Sequence, residues 1–227
     1  MNLKQQAAKS ALEYIRNGMI LGLGTGSTTR CFINMLGGEI QKGFLQGIQA
    51  IPTSETTAEQ ARLLGIPLTT LSENPQIDIA VDGADEVDPK LNLIKGLGGA
   101  LLREKVVETH ARRFIVVVDQ SKIVLRLGVR GPLPVEIIPF EAHAHVVWLN
   151  TLDCQAKLLL EEDGSPLVTD NGNYLVHCWF SEGIPDPHKL ARILADRPGI
   201  VEHGLFLGMA DTVVVAEVDG IKILERE

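Results

Sequence analysis

The sequence predicts an α/β fold, in which a mainly parallel, open, Rossmann-like sheet is flanked by helices and a smaller α+β second domain is inserted before the C-terminal strands. The chain is 45% hydrophobic but only 4% aromatic, so its core is built from Val, Ile, Leu and Ala, which is typical of parallel sheets covered by helices. Short apolar runs alternate with helical periodicity as far as about residue 129. Beyond that point prolines and turn-forming residues interrupt the pattern, which indicates a second domain.

Strands and helices alternate in the first half of the chain. Apolar residues at helical spacing predict a first helix over residues 3–15, and residues 19–23 predict a strand that runs into a glycine loop. We expect Ser27 or Thr28 to cap the next helix and Gly37-Gly38 to end it. The elements predicted after it are a strand at 48–51, a helix at 54–64, strands at 67–71 and 77–81, a helix at about 100–112 and a strand at 114–118.

The second half of the chain has shorter elements and more turns. Its predicted elements are strands at 135–138, 157–161 and 174–180, helices at 140–152 and 188–194, and three last strands at 205–207, 212–218 and 221–224. We expect the last three strands to rejoin the first sheet. The sequence therefore predicts a Rossmann-like catalytic domain at 1–129 plus 205–227, and a smaller α+β domain at 130–204 that acts as a lid or in oligomer contacts.

Charge and cysteine content restrict the partners and the compartment. The net charge of −8 argues against nucleic acid or an anionic membrane as a partner. Three cysteines without a CxxC pair predict neither a disulfide framework nor a zinc site. No run approaches the ~18 consecutive apolar residues that a membrane span needs, and no signal-peptide pattern opens the chain. We therefore expect a cytoplasmic protein.

A glycine loop is the first candidate binding feature. Gly22-Leu23-Gly24-Thr25-Gly26-Ser27-Thr28 lies between a predicted strand and a predicted helix, where backbone N–H groups are suited to holding a small anion. The loop lacks the GK[ST] ending of nucleoside triphosphate sites, and its GxGxG spacing disfavours a dinucleotide site. A plain tight turn is the alternative. Lys4 would add a positive charge if the first helix packs nearby; otherwise it is a solvated lysine.

Two aspartates, a lysine and a glutamate surround a second group of glycines. Asp82 and Asp85 follow strand 77–81, at the carboxyl edge where open α/β sheets bind ligands. Lys95 begins the glycine-rich loop, and Glu104 lies in the next helix, whose N-terminus would keep a carboxylate ionised and able to accept a proton. The alternatives are that Glu104 and Lys105 are solvated helix residues and that Asp85-Glu86 caps a turn. Together the two features predict an enzyme that binds a phosphate and moves a proton.

The motifs GLGTGSTT, DGADE and KGLGGALLREK, in this order and spacing, resemble the signature set of the type A ribose-5-phosphate isomerases. Similar segments at 51–54, 118–122, 132–136, 169–173 and 198–201 extend the resemblance over nearly the whole chain. It implies interconversion of D-ribose 5-phosphate and D-ribulose 5-phosphate through an enediolate, in the non-oxidative branch of the pentose phosphate pathway. It also implies a homo-oligomer, dimer or tetramer, that uses no metal and no organic cofactor.

The resemblance also assigns roles to individual residues. Glu104 matches the general base, Lys95 matches a group that binds the sugar and stabilises the oxyanion, and Asp82 and Asp85 match carboxylates that contact hydroxyls and assist ring opening. The substrate-binding positions are Thr25, Gly26, Ser27, Thr28, Gly83, Ala84, Gly96, Leu97, Gly98 and Lys122. Leu97 departs from the family, whose loop more often has glycine there, so the local loop conformation can differ.

Three other functions fit parts of the pattern. An amino-sugar phosphate deaminase would be expected to use a well-placed histidine, and no histidine lies in these motifs. A sugar-phosphate-sensing domain of a transcription regulator would need a helix-turn-helix and a basic face, which the sequence does not offer. A catalytically silent homologue is opposed only by the fact that every matched catalytic position is filled.

The remaining reactive or aromatic side chains are interpreted as structural. The histidines and Cys178 have no spacing that supports a metal site, Cys31 is interpreted as a buried structural cysteine rather than a thiolate, and the tryptophans are interpreted as core or subunit-contact residues rather than a platform for the sugar. These side chains are Cys31, His143, His145, Trp148, His177, Cys178 and Trp179.

Overall fold

The structure is a computed structural model that describes residues 1–226. The helices in these residues are α1 (Leu3–Leu12), α2 (Ser27–Gln41), α3 (Glu55–Leu63), α4 (Leu101–Thr109), α5 (Ala142–Leu149) and α6 (Pro187–Ala195). The strands are β1 (Ile20–Leu23), β2 (Gln49–Pro52), β3 (Ile77–Asp82), β4 (Glu86–Val87), β5 (Leu93–Ile94), β6 (Ala111–Asp119), β7 (Leu133–Ile137), β8 (Gln155–Leu158), β9 (Tyr174–Trp179), β10 (Ile200–His203), β11 (Leu205–Phe206), β12 (Thr212–Glu217) and β13 (Gly220–Glu225). A 3₁₀ turn, Gln120–Lys122, follows β6.

The chain divides into two compact units. The first unit contains residues 1–84, 103–122 and the C-terminal segment from residue 209, and the second contains residues 85–102 and 123–208. These bounds differ from the predicted domains, because residues 85–102, 123–129 and 205–208 group with the second unit.

The first unit is built on a six-stranded sheet with the strand order β13-β12-β6-β3-β1-β2. Every neighbouring pair is parallel except β12 and β13. Leu21 and Leu23 of β1 face the core that α1 and α2 cover, whereas Gly22, between them, faces Val107 of α4. Helices therefore lie on both faces, and the predicted fold class is confirmed.

The second unit contains two antiparallel sheets, of four strands (β10-β7-β9-β8) and three strands (β11-β5-β4). Residues of both sheets share one apolar core with α5 and α6, which includes Ile94, Val135, Leu149 and Leu194. This arrangement agrees with the predicted α+β character of the second domain.

Two predictions about strands are wrong. Residues 67–71 form only a single bridge, between Leu68 and Ala50, because the chain turns at once and the Glu73 N–H group bonds the Thr70 carbonyl. Residues 205–207 do not rejoin the first sheet; β11 pairs with β5 instead. The very short strands β4 and β5 and the strand β10 were not predicted.

The predicted ends of α2 are wrong as well. The N-cap is Gly26, which makes no side-chain cap, and the helix continues through Gly37-Gly38 to Gln41. A Cβ at Gly37 would lie 2.8 Å from the Cβ of Leu64, so this glycine allows close packing rather than ending the helix. Elsewhere the predicted bounds are shifted, as in α4, which ends at Thr109 before β6 begins.

The register of two central strands sets the position of the candidate site. β1 and β3 are parallel neighbours in which Leu23 pairs with Val81. The next residues, Gly24 and Asp82, therefore lie side by side at the carboxyl edge of the sheet. No helix within residues 1–226 combines the length and the hydropathy that crossing a membrane requires.

Candidate active site

The glycine loop joins β1 directly to α2. Gly24, Thr25 and Gly26 make the turn, and Gly26 has a φ of 117°, which a residue with a side chain rarely adopts. The first turn of α2 presents the N–H groups of Ser27 and Thr28 at the positive end of the helix dipole. Gly26 and Ser27 are exposed and Thr28 is half-buried, so a ligand can reach this end of the helix.

Asp82 fixes the glycine loop from the neighbouring strand. Its side chain is fully buried, and its Oδ1 atom accepts hydrogen bonds from the N–H groups of Thr25 (3.0 Å) and Gly83 (2.6 Å) and from the Thr29 hydroxyl (3.1 Å). A Cβ at Gly24 would overlap the Asp82 carboxylate, so only glycine fits there. Asp82 is thus a structural anchor of the loop, in addition to any role it has toward a ligand.

The Thr25 hydroxyl also points into the protein rather than only to solvent. Its Oγ1 lies 2.9 Å from the Thr53 hydroxyl and 2.8 Å from the Ser54 hydroxyl. Both residues follow β2 and are buried. Thr53 and Ser54 belong to the segment 51–54, one of the segments that extend the family resemblance. This segment therefore supports the glycine loop through hydrogen bonds to Thr25.

Lys4 reaches the N-terminal end of α2, and its charge acts together with that of Lys122 on Asp119. Lys4 of α1 donates a hydrogen bond of 2.8 Å from Nζ to the Ser27 hydroxyl. Burial opposes ionisation of Asp119, but hydrogen bonds from Ser121 and the charges of Lys122 and Lys4 outweigh it and lower the pKa of Asp119. Both lysine charges thus act on one carboxylate, Asp119. Helix α1 therefore packs near the glycine loop, which was the condition under which Lys4 was expected to add a positive charge there.

Glu104 lies in the first turn of α4, and its side chain is only 4% exposed. Glu108, one turn later, is equally buried and was not singled out from the sequence. Arg103, next to Glu104, forms an ion pair with Glu55 of α3 (2.8 Å), whose hydrogen bond lowers the pKa of Glu55. A buried carboxylate near a helix N-terminus is suited to accepting and returning a proton.

Asp85 and Lys95 belong to the second unit, where they are organised around the loop that follows β5. The Asp85 carboxylate accepts a hydrogen bond from the Leu97 N–H group (3.1 Å). Lys95 is 2% exposed, its N–H group bonds the Gly204 carbonyl (2.9 Å), and its Nζ lies 5.4 Å from the centre of the Phe206 ring.

The same loop has a sharp bend at its centre. Gly96 has a φ of 101°, and a Cβ there would lie 2.5 Å from the Leu101 Cβ, so the bend needs glycine. Gly96 is buried, whereas Leu97 and Gly98 are exposed and available to a ligand. With leucine at position 97, the Leu97 N–H group bonds the Asp85 carboxylate, which holds this part of the loop in place.

Glu86, the last residue of the DGADE motif, was predicted to act at most in capping a turn together with Asp85. It is 2% exposed and accepts three backbone hydrogen bonds, from the N–H groups of Gly128, Arg130 and Gly131 at 2.5–3.0 Å. It therefore ties β4 to the loop before β7. The only feature of the sequence that pointed to Glu86 was its position after the two aspartates of the DGADE motif.

The side chains that the sequence set aside form no metal centre within residues 1–226: no three His, Cys, Asp or Glu are grouped to hold an ion. Trp148 stacks on Arg197 (4.8 Å), and Cys178 is buried. Trp179 is 46% exposed and Cys31 is half-buried, so neither is a fully enclosed core residue.

Comparison with known proteins identifies relatives over nearly the full length of the chain. Residues 49–220 match the family model of ribose 5-phosphate isomerase A (phosphoriboisomerase A). The sequence is 50% identical to a ribose-5-phosphate isomerase A of Roseiflexus castenholzii over 98% of this chain and 94% of that protein. It is 48% identical to a ribose-5-phosphate isomerase A of Synechococcus sp. over 99% of this chain and 97% of that protein.

Solved structures with the same fold carry the same description. A D-ribose-5-phosphate isomerase in complex with phospho-erythronic acid superimposes with a TM-score of 0.96 and 42% identity, covering 100% of both chains. The ribose 5-phosphate isomerase A of Methanocaldococcus jannaschii gives a TM-score of 0.93 and 40% identity, covering 98% of each chain.

Proposed function

The chain belongs to the ribose 5-phosphate isomerase A family, and from this premise we propose that it interconverts D-ribose 5-phosphate and D-ribulose 5-phosphate with Glu104 as the general base. The observation that carries the base assignment is the burial of the Glu104 carboxylate in the first turn of α4. Water is largely excluded from it, so the carboxylate can take a proton from carbon and return it without exchange with solvent.

The proposed reaction moves one proton between two carbons. Glu104 removes the proton from C2 of the open-chain aldose, and the C1 carbonyl oxygen takes up the negative charge of the enediolate. The carboxylic acid then returns the proton to C1, while a proton passes from O2 to O1 and leaves the ketone at C2. Lys95 is proposed to stabilise the enediolate oxygens, a contribution usually worth several kcal/mol of barrier.

The phosphate is assigned to the N-terminus of α2. We propose that residues 25–28 hold it, Thr25 through the shape of the loop and residues 26–28 through backbone N–H and hydroxyl groups, with Lys4 and Lys122 supplying positive charge. This local charge supports binding of an anion by a protein with a net charge of −8. The phosphorylated sugar acid bound to one related structure is a ligand of the same chemical class.

The sugar is assigned to the backbone and carboxylates of the two acidic motifs. Asp82 and Asp85 are proposed to contact hydroxyls and assist ring opening, with Gly83, Ala84 and residues 96–98 lining the substrate.

We further propose that the protein is a cytoplasmic homodimer. The second unit exposes large apolar side chains that a second copy would cover, among them Trp179 (46% exposed) and Val168 (59% exposed). The three cysteines of the chain are free thiols, which supports a reducing compartment. Sedimentation equilibrium at micromolar concentration tests the dimer, which a monomeric mass would contradict.

Formation of ribulose 5-phosphate from ribose 5-phosphate by metal-stripped protein tests the function, with Glu104→Gln and Glu108→Gln alongside. We expect turnover in the wild type, a loss of about 10²–10⁴-fold in kcat for Glu104→Gln, and near-normal kcat for Glu108→Gln. Loss in Glu108→Gln alone would move the base to position 108. An inactive wild type that binds ribose 5-phosphate would instead support a sensor or a different sugar phosphate.

A further inference from the structure

Four hydroxyl side chains form a cluster beneath the glycine loop. Thr25 comes from the loop, Thr53 and Ser54 follow β2, and Thr57 lies in the first turn of α3. The last three are buried, with exposed fractions of 1%, 5% and 3%. Their Oγ atoms lie 2.9, 2.8 and 3.2 Å from the Thr25 Oγ1.

The hydrogen bonds in this cluster can run in only one direction. Thr57 donates its single hydroxyl proton to the Gly24 carbonyl (2.9 Å), so it must accept from Ser54 (3.1 Å). Ser54 has then used its proton and accepts from Thr25 (2.8 Å). The remaining proton, on Thr53, goes to Thr25.

The resulting chain of hydroxyls begins and ends in the glycine loop. It leaves the loop at Thr25, passes through Ser54 and Thr57, and returns to the carbonyl of Gly24. On its other side the Thr25 N–H group is held by Asp82. The turn is therefore fixed at both the hydroxyl and the backbone of Thr25, and this fixes the direction in which the N–H groups that open α2 point.

We propose that Thr57 is a positioning residue for the phosphate site: by bonding the Gly24 carbonyl and accepting from Ser54, it holds the glycine loop in its anion-binding shape without touching the ligand. The assignment rests on the proposed function of residues 25–28. Thr25 then serves the phosphate through the shape of the loop, and the donors are those of the residues after it. Nothing in the sequence marked Thr57, because it lies 29 residues beyond the end of the glycine motif.

A substitution at Thr57 can test the positioning role without disturbing the cap of α3. Ser54 also caps α3 by accepting from the Thr57 N–H group, so its loss would disturb the helix as well. Thr57→Val keeps the shape and the backbone donor but removes the hydroxyl, and Thr57→Ser restores the hydroxyl. Thr56, the exposed next-door threonine on α3, gives the matched control Thr56→Val, which changes helix propensity equally.

The test is the affinity of the protein for inorganic phosphate, measured by isothermal titration calorimetry, together with KM and kcat for ribose 5-phosphate. We expect Thr57→Val to raise the phosphate Kd and the KM about threefold to tenfold, with a smaller change in kcat. Thr57→Ser is expected to restore both constants and Thr56→Val to leave them unchanged. Because calorimetry needs no turnover, an inactive wild type would reject the isomerase function while leaving this result interpretable.

Three outcomes would overturn the proposal. They are wild-type phosphate affinity in Thr57→Val, no recovery in Thr57→Ser, and an equal loss in Thr56→Val. If Thr57→Val is poorly folded by circular dichroism, Thr25→Val breaks the same chain from the loop side and must weaken phosphate binding to a similar extent. Thr53→Val removes only the first donor and leaves the return to Gly24 intact, so its effect must be the smaller one.

Discussion

The Asp82 carboxylate accepts a hydrogen bond of 3.0 Å from the Thr25 N–H group, which lies 57 residues earlier in the chain. The last residue of β3 thereby holds the turn that follows β1, its parallel neighbour. The same oxygen accepts from Thr29 in the first turn of α2. One buried side chain thus fixes the glycine loop and the start of the helix that we propose binds phosphate.

Asp82→Ala is expected to lower the free energy of unfolding and to raise KM for ribose 5-phosphate. Three donors would lose their acceptor in a buried place, at a cost of about 1–3 kcal/mol. Asp78→Ala is the matched control, because Asp78 accepts from the Ile20 N–H group (2.9 Å) at the opposite end of β1. Urea unfolding and steady-state kinetics should show lost stability in both variants but a raised KM only in Asp82→Ala. A raised KM in both would mean that the effect is general softening of the sheet.

Lys4→Ala is expected to raise KM about tenfold and to leave kcat nearly unchanged, because a charged donor to a phosphate is lost. The effect should shrink as salt is added, since the side chain is near the surface. Lys9→Ala, which removes an exposed charge from the same helix, should behave like the wild type. Equal KM values for Lys4→Ala and Lys9→Ala at low salt would show that Lys4 does not contribute to phosphate binding.

The sequence predicts the first sheet well because its signals are local. Buried parallel strands appear as apolar runs, and the site motifs follow directly on β1 and β3. Residues 67–71 look like another such run, yet Pro67 has no N–H group to donate and a turn follows at Thr70. Whether an apolar segment finds a partner strand is a tertiary property that a pattern does not contain.

Other features depend on contacts between distant residues. Gly37 looks like a helix end, but its missing side chain makes room for Leu64 on a neighbouring element. The two-residue strands β4 and β5 are too short to leave a periodic signal. Thr57 and Glu86 act through backbone groups 33 and 42–45 residues away, respectively, and a carbonyl or N–H group has no sequence signature.

Stability is expected to fall as the pH falls from 7.5 to 5.5, in part because of His177. Burial lowers the pKa of His177, and the negative charge of Asp85 opposes this without outweighing it. The unfolded chain therefore binds a proton at a higher pH than the folded protein does. Stability is unaffected well above the unfolded pKa of about 6.5 and is lost as the pH falls through it. Thermal unfolding should show a smaller pH dependence in His177→Gln, and an unchanged one would exclude this contribution.

Two buried glutamates should respond in opposite ways to the same substitution. Glu86 uses both carboxylate oxygens: Oε2 accepts from Gly128, and Oε1 accepts from Arg130 and Gly131. A glutamine there must turn its NH₂ group toward one of these N–H donors, which leaves that donor unpaired and opposed by a second donor.

Glu136 concentrates its hydrogen bonds on one atom. Its Oε1 accepts from Thr169, Asn171 and Asn173 at 2.9–3.2 Å, and Oε2 has no hydrogen-bond partner among residues 1–226. A glutamine can keep all three bonds by placing its NH₂ group where Oε2 was. It also removes a buried charge, which offsets the weaker hydrogen bonds.

We therefore expect Glu86→Gln to lower the free energy of unfolding by about 1.5–3 kcal/mol and Glu136→Gln to lower it by less than about 1.5 kcal/mol. Urea unfolding at pH 7.5 measures both free energies. At each position the alanine variant is the control with which the glutamine variant is compared. For Glu86 both variants should be clearly destabilised, and the alanine variant more so, because glutamine leaves part of the set of three N–H groups unpaired and alanine leaves all of it unpaired. For Glu136 the alanine variant should be clearly the less stable one, because it leaves the Thr169 hydroxyl and two amide groups without their acceptor. Equal losses in Glu86→Gln and Glu136→Gln would show that the charge, and not the direction of the donors, determines what each glutamate contributes.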